Sequence, residues 1–379
     1  MTLGICGPVD TSGLAAFLGS PADLPTGLGG TPVVSLARAA LARGWRVIVF
    51  SLDSTVKAEY VSGTTSGLRL CLGPYRSHHR ARDCFRLERD SLARHIRRER
   101  PDVVHAHWTY EFALGALESG APAVVTAHDR PLRVLRWNPS PYRLVRAWMA
   151  GMTARRAPRM TAVSQAVADH FRRWMGCPNP PVVIPNPVDA EWFARREGDS
   201  PDRVTFAAVL TGWGEMKNGR TLIEAFATAR KSLPGARLVL FGYGHGPGEE
   251  AERWAGAAGL QHGVSFVGQV APSVLRESLA RTDVLVHPSR EESFSMAVAE
   301  AMAHSVPVIA ARQGAVIADD TNAVLADGDS AGALAREMVR LAADPAWRER
   351  LAIRGHRFAK ERFWPDTVLE QYAEIYRSL

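Results

Sequence analysis

Glu292 and Glu300 stand eight positions apart within residues 281–310, RTDVLVHPSREESFSMAVAEAMAHSVPVIA. The stretch reads as a buried strand (284–286), a polar loop carrying Arg290, Glu291, Glu292 and Ser293, a helix over 295–304 and a second strand at 307–310. A strand's carboxyl end meeting a helix N-terminus is the usual ligand edge of an open α/β sheet, because free amides and the helix dipole favour anions there. Two carboxylates at such a place repel each other and any anion. The combination makes sense for a ligand that offers hydroxyls to the carboxylates and phosphates to the amides, and a nucleotide sugar does both.

Other residues suit the same chemistry. The loop 211–219, TGWGEMKNG, puts glycines and Lys217 ahead of a helix. Such a loop suits a phosphate, since lysine adds charge and glycine allows close approach; an exposed turn lysine explains it equally well. Gly29-Gly30 precede a helix that Thr31 caps and Pro32 begins, and a diglycine there lets backbone approach a phosphate or sugar. His107 and His128 end two consecutive strands, one βα unit apart, which raises both above the ordinary structural histidine. The run Gly242-Tyr243-Gly244-His245-Gly246 imitates a dinucleotide fingerprint, but the acidic partner expected near 261–266 is absent.

Apolar runs alternating with helical periodicity predict βα units around these residues. In the first half the predicted strands are 3–6, 47–50, 102–105, 123–126, 160–163 and 182–184, with helices over 31–43, 82–100 and 165–175. Pro185-Asn186-Pro187 is a stiff connector and the predicted hinge. A second set follows: strands at 205–210, 236–241 and 264–267, helices at 220–229, 331–342 and 346–361, and an aromatic-rich last helix at 367–379. The expected domains are 1–186 and 187–363, with the helix 364–379 packing back on the first. At 379 residues, 46% hydrophobic and 22% charged, the chain can bury two cores.

The four cysteines show no metal-ligand spacing, which points to a reduced compartment without zinc or disulfides. The opening MTLGICGPVD lacks the basic start and apolar run of a signal peptide, and no stretch is long and apolar enough to span a bilayer, so the cytoplasm is expected. Net charge is +7, and its excess is arginine in the first half. That is either a solvated face or attraction to an anionic acceptor or to the inner membrane surface, because Trp137, Trp148 and Met149 interleave with the arginines. No nucleic-acid motif accompanies the charge, so nucleic acid is not an expected partner.

Together these residues resemble family 4 glycosyltransferases with the GT-B fold, over nearly the whole chain and most densely in its second half. Glu292-Ser-Phe-Ser-Met-Ala-Val-Ala-Glu300 looks like that family's E-x7-E signature. His105-Ala-His107-Trp108, Val125-Thr-Ala-His128, Thr161-Ala-Val-Ser164 and Val183-Ile-Pro-Asn186 are similar to landmarks of its acceptor-side domain, and Gly29-Gly30 sits where its phosphate-approaching loop does. The resemblance implies two Rossmann-like domains whose parallel sheets face across a cleft. It implies a retaining hexosyl transfer, without metal or other cofactor, from a UDP- or GDP-sugar, UDP preferred, to a hydroxyl of a glycan, lipid-linked or small-molecule acceptor.

The implied donor site is Gly29, Gly30, Gly212, Lys217, Val267, Gly268, Glu292, Ser293, Phe294, Ser295, Met296 and Glu300. Within it Lys217 meets the pyrophosphate, Glu300 the ribose hydroxyls, Glu292 and the Phe294 and Ser295 amides the sugar, and the Val267–Gly268 backbone the base. His107, Trp108 and His128 take the acceptor side, with His128, Glu292 and Lys217 as the catalytic set. Two departures stand out. Gly212 occupies the position where the family usually has an arginine, leaving Arg290 or an arginine of the first domain to replace that cation. The loop after Ala310 is abbreviated to Arg312-Gln313-Gly314. They motivate an alternative, a catalytically weak nucleotide-sugar-binding partner protein of the same fold.

Overall fold

The computed structural model describes residues 1–19, 23–63, 66–194 and 204–379. Residues 20–22, 64–65 and 195–203 lie outside that set. The described chain divides into two compact units, Met1–Asp189 with Pro365–Leu379, and Ala190–Trp364.

Unit 1 runs β1 (Thr2–Cys6), α1 (Thr31–Ala42), β2 (Arg46–Asp53), β3 (Tyr60–Val61), β4 (Leu68–Pro74), α2 (Arg86–Glu99), β5 (Val103–His107) and α3 (Glu111–Ser119). It continues β6 (Ala123–Ala127), α4 (Pro131–Trp137), α5 (Pro141–Arg156), β7 (Arg159–Ala162), α6 (Gln165–Trp174) and β8 (Val182–Val183). The sheet order is β3-β4-β2-β1-β5-β6-β7-β8, parallel except for the short β3 on β4. Strands such as Val103–His107 and Ala123–Ala127 are buried along their whole length, because helices cover both faces of a parallel sheet.

Unit 2 runs β9 (Thr205–Val209), α7 (Gly219–Ala229), β10 (Arg237–Phe241), α8 (Glu250–Ala257), β11 (Val264–Gly268), α9 (Pro272–Ala280), β12 (Val284–His287), α10 (Met296–Ala303), β13 (Val308–Ala311) and β14 (Val324–Ala326). Helices α11 (Ala331–Ala343) and α12 (Pro345–Phe363) complete it, and α13 (Pro365–Arg377) belongs to unit 1. The order β11-β10-β9-β12-β13-β14 is parallel throughout.

Both sheets reverse direction once, and the reversals position the candidate residues. In unit 2 the chain turns away from β9 on one side and returns at β12 on the other, so the loops after these paired strands emerge side by side. Lys217 is on the first and Glu292 on the second. In unit 1 the reversal lies between β1 and β5, which sets the Gly29-Gly30 loop beside the loop holding Trp108. Such switch points are where open α/β sheets receive ligands.

Local chemistry explains the boundaries. Ser164 caps α6 by accepting from the Val167 amide, and Ser330 and Asp344 do the same for α11 and α12. The predicted cap at Thr31 moves one residue back: Gly30, at φ 104, is the N-cap and Thr31 the first helical residue. The predicted helix over 82–100 starts late, at Arg86, because Cys84 and Phe85 are left-handed (φ 51 and 59). Helix α13 docks through Val368, Leu369, Tyr372 and Tyr376, which join the unit 1 core, and through Glu370, whose carboxylate pairs with Arg43 at 2.6 Å.

The two glycines of the α1 loop differ in what they tolerate. A Cβ on Gly30 would sit 2.0 Å from the Pro8 carbonyl oxygen, whereas one on Gly29 (φ 82) would meet open space. Gly29→Ala should therefore cost only the left-handed penalty, about 1–2 kcal/mol, while Gly30→Ala should cost well over about 3 kcal/mol. Denaturant unfolding of both variants tests this; equal losses would show that the loop yields at Pro8.

Candidate active site

Unit 2 concentrates its polar chemistry where β12 gives way to α10. Strand β12 ends on His287, which is buried, and His287 Nε2 lies 3.1 Å from Glu292 Oε1 and 3.1 Å from Ser295 Oγ. From the neighbouring loop, Lys217 Nζ donates to the same Glu292 oxygen at 2.6 Å. Burial pushes the Glu292 carboxyl up, but the His287 hydrogen bond and the Lys217 charge outweigh it and hold the group below the usual carboxylate range.

Glu300 behaves oppositely. It faces inward on α10, eight per cent exposed, and burial alone raises its carboxyl to about 8. Like-charge contact is not the cause: desolvation keeps one glutamate neutral, while the His287 hydrogen bond and the Lys217 charge keep the other ionised.

The Lys217 loop is pinned to its neighbours. Asn218, in the left-handed region at φ 58, donates from Nδ2 to the Pro288 and Gly328 carbonyls at 3.1 and 2.6 Å. The Arg290 guanidinium donates to the Glu215 carbonyl at 3.0 Å and pairs with Asp329, while its backbone amide donates to the Met216 carbonyl at 2.9 Å. The expectation that Arg290 replaces a cation at Gly212 is thus corrected, since its guanidinium clamps two loops. Gly212 itself is at φ 91 with its amide on the Tyr243 carbonyl.

The other unit 2 residues expected on the donor side lie in the same loop, at the start of α10 and on the edge strand β11. Ser295 is the left-handed N-cap of α10 (φ 73), Met296 its first residue, and Phe294 is buried against Phe363 with ring centroids 5.3 Å apart. Ser293 is partly exposed in the same loop. Val267 is the extra residue of a bulge: Leu240 pairs with Phe266 and Phe241 with Gly268, leaving Val267 out of the ladder at the sheet's edge. Gly268 stays in it, its carbonyl accepting from Gly242. The shortened loop after β13 is a 3-10 turn, and Gln313 ties it to Asp327 and Gly328 at 2.7 and 3.0 Å.

In unit 1, His107 and His128 are brought together: His107 Nδ1 lies 2.9 Å from His128 Nε2. Trp108, left-handed at φ 62, stacks on His128 at 4.2 Å. His105, which opens the same sequence landmark but carries no assigned role there, packs on the other face of the array, 4.1 Å from His107 by ring centroids, and is held by Tyr376 Oη at 2.7 Å and Thr126 Oγ1 at 2.6 Å. Burial lowers His105 and His128 to about 3, and lowers His107 too, so the array is neutral at ordinary pH.

Beside it lies a cationic cluster. Tyr110 donates to Asp129 at 2.7 Å, Arg146 stacks over the Tyr110 ring at 3.8 Å, and Arg80 donates to Tyr142 at 2.9 Å. Arg80 Nη1 is buried, finds no hydrogen-bond acceptor and is 3.9 Å from Glu111. Arg80 and Tyr142 border a cavity of about 510 Å³ that Ser77, His78, His79 and Arg82 also line. Among the described residues no group of three or more histidines, cysteines or carboxylates gathers as a metal site.

Residues 29–192 match the family described as Glycosyltransferase Family 4, and residues 201–344 match Glycosyl transferases group 1. A D-inositol 3-phosphate glycosyltransferase of Nocardiopsis dassonvillei is 28% identical over 95% of this chain and 92% of its own. An MMP alpha-(1->4)-mannosyltransferase of Mycolicibacterium hassiacum is 30% identical over 73% of this chain and 70% of its own. The chain belongs to glycosyltransferase family 4. A solved structure of Anabaena HepE, in complex with UDP and glucose, superposes over 100% of both chains with TM-score 0.70 at 19% identity. The fold of this family 4 glycosyltransferase is GT-B, two parallel-sheet α/β domains, and retaining transfer fits its family.

Motif reading of the glycosyltransferase missed His287, Asn218 and the Arg80–Arg146 cluster. The signal for His287 was present: it is a polar residue ending a buried strand, the criterion that selected His107 and His128. The arginines gave no such signal, because which of many become buried depends on packing.

The Glu300 shift carries a pH consequence. A carboxyl raised in the folded state stabilises fully below its unfolded range near 4.5, and that stability is lost as pH rises through about 8. Glu300→Gln should match the parent near pH 4.5 and become progressively more stable than it up to pH 8, by roughly 4–5 kcal/mol. Thermal unfolding across that range measures it, and a variant less stable at pH 8 would mean that the carboxylate is satisfied in the free protein.

Proposed function

We propose that this glycosyltransferase moves a hexosyl unit from a UDP-sugar, with GDP-sugar as second choice, to a hydroxyl of an anionic, phosphate-bearing acceptor. The supporting observation is that an ionised Glu292, held by Lys217 and His287 in the loop after β12, precedes a helix, α10, on which Glu300 is buried and neutral.

In this reading Lys217 and the amides of Phe294 and Ser295 receive the pyrophosphate and sugar, and Met296 and Ser293 border them. Glu300 accepts the ribose hydroxyls, and Gly212 lets the diphosphate pass close to backbone. Val267, freed from the ladder by its bulge, and Gly268 offer backbone to the base. HepE's complex with UDP favours uridine over guanosine. By family resemblance Gly29 and Gly30 are assigned to the donor and His128 to the transferred sugar; within unit 1, His107 and Trp108 hold His128 in place.

The chemistry follows from these positions. The bond between the sugar's anomeric carbon and the β-phosphate oxygen breaks, and the charge left on the phosphate is stabilised by Lys217 and oriented amides. The acceptor hydroxyl bonds to the anomeric carbon on the same face, and its proton passes to the departing phosphate oxygen. No protein-bound intermediate is needed, and Glu292 positions the sugar.

The acceptor's anionic group rests on Arg80 and Arg146, whose cluster adjoins His128 through Asp129 and Tyr110. The relative acting on D-inositol 3-phosphate supports that reading.

Thermal stabilisation by a donor panel comes first: UDP-sugars should stabilise the parent, by about 2.7 kcal/mol at a hundredfold excess over Kd. Glu300→Ala should lose most of this, and Lys217→Ala should cut kcat by roughly 100-fold. Unchanged binding and turnover in both would refute the site, and an absence of transfer from every donor would favour the non-catalytic partner reading. Arg80→Ala should raise KM for phosphorylated polyols and leave neutral ones unaffected.

A further inference from the structure

Residues 130–159 contain eight arginines and no lysine, aspartate or glutamate, while the whole chain carries +7, so everything outside this segment sums to −1. The segment is α4, α5 and their flanks. Helix α5 buries Ala147, Met149, Ala150 and Ala154 and turns the opposite stripe outward. On that stripe Leu144 is 61% exposed and Trp148 51%, one turn apart, with Met152 and Arg155 continuing the line. Met149, grouped with Trp148 by sequence alone, belongs to the buried face instead.

Neighbouring elements extend the surface. Helix α4 packs beside α5 and exposes Leu132 and Arg136. The Arg155 guanidinium lies over both Gly151 of α5 and Gly176 just past α6, which brings Trp174, 69% exposed at the end of α6, alongside. The acidic groups nearby are already engaged: Asp169 pairs with Arg172, and Asp129 is bonded to Tyr110.

A face that offers bulky apolar side chains to solvent within a field of arginines is costly in water and suited to a bilayer interface. There tryptophan sits at headgroup level, leucine enters the acyl boundary and arginine meets anionic headgroups. A soluble polyanion would use the arginines and leave Leu144, Trp148 and Trp174 in water. We infer that α4, α5 and the end of α6 form a surface that docks on an anionic lipid bilayer. Because α4 begins just after His128 and Asp129, docking there brings the acceptor-side residues of unit 1 close to the membrane plane.

Co-sedimentation of the full chain with vesicles tests this without donor or acceptor, so its outcome is separate from that of the transfer reaction. Phosphatidylglycerol–phosphatidylcholine vesicles should retain the protein at low salt and pure phosphatidylcholine vesicles should not. Retention should vanish near 1 M salt, where the Debye length is about 3 Å. Arg136→Gln with Arg155→Gln should weaken partition roughly tenfold. Leu144→Ser with Trp148→Ser should abolish retention and most of the vesicle-induced blue shift of tryptophan fluorescence, while Tm stays near the parent value. No retention on anionic vesicles at low salt overturns the inference. So does unaltered retention in the Leu144/Trp148 variant, or binding to heparin without binding to vesicles.

Discussion

Everything at the candidate donor edge of unit 2 depends on the ion pair between Lys217 and Glu292. These residues are 75 positions apart, and they meet only because β9 and β12 are neighbours at the point where the sheet reverses. A buried pair of this kind adds little net stability, since desolvation consumes most of the Coulomb gain. Its value is in fixing geometry and charge state. His287 shares the same carboxylate oxygen, Asn218 fastens the lysine's loop to Pro288 and Gly328, and Arg290 fastens it to Asp329. Three separate clamps converge on one salt bridge, so the loop that a phosphate would meet is ordered before any ligand arrives.

Unit 1 solves the reverse problem, holding three imidazoles in contact without charge. Two adjacent cationic histidines would repel strongly in a buried site, and burial removes the difficulty by lowering all three. The arrangement needs a partner for His105 from outside the βα series. The C-terminal helix supplies it: Tyr376 bonds to His105, and Tyr372 packs on its ring at 4.4 Å. The last residues of the chain therefore help set the register of histidines that belong to the fifth and sixth strands.

The alternation of βα units, the two sets of strands and the strand–loop–helix carrying Glu292 and Glu300 could all be read in advance. Buried parallel strands leave continuous apolar runs, and ligand edges leave polar residues at strand ends. What escaped reading depended on long-range packing. Strand β3 is two residues long and exists only because β4 offers it an edge. The delayed start of α2 comes from left-handed Cys84 and Phe85, residues with no propensity for that conformation. Arg290 looked available for a ligand because Asp329 is 39 positions away. Arg80 and Arg146 were indistinguishable from surface arginines until aromatic rings were seen to stack on them.

The opposite shifts of the two glutamates bear on the departure at Gly212. With Arg290 committed to Asp329, Lys217 is the cation that faces Glu292, and two ionised carboxylates beside it would leave this edge negative before a diphosphate could enter. Glu300 avoids that by remaining protonated up to about pH 8. In the proposed site a diphosphate would then meet a lysine balanced by one carboxylate, oriented amides and the start of α10, an edge close to neutral rather than repulsive. In the proposed site the cost would fall on the ribose, because a neutral carboxyl accepts hydrogen bonds less strongly than a carboxylate. A missing cation and a buried neutral acid are thus two parts of one charge balance: the first is tolerable because the second is present.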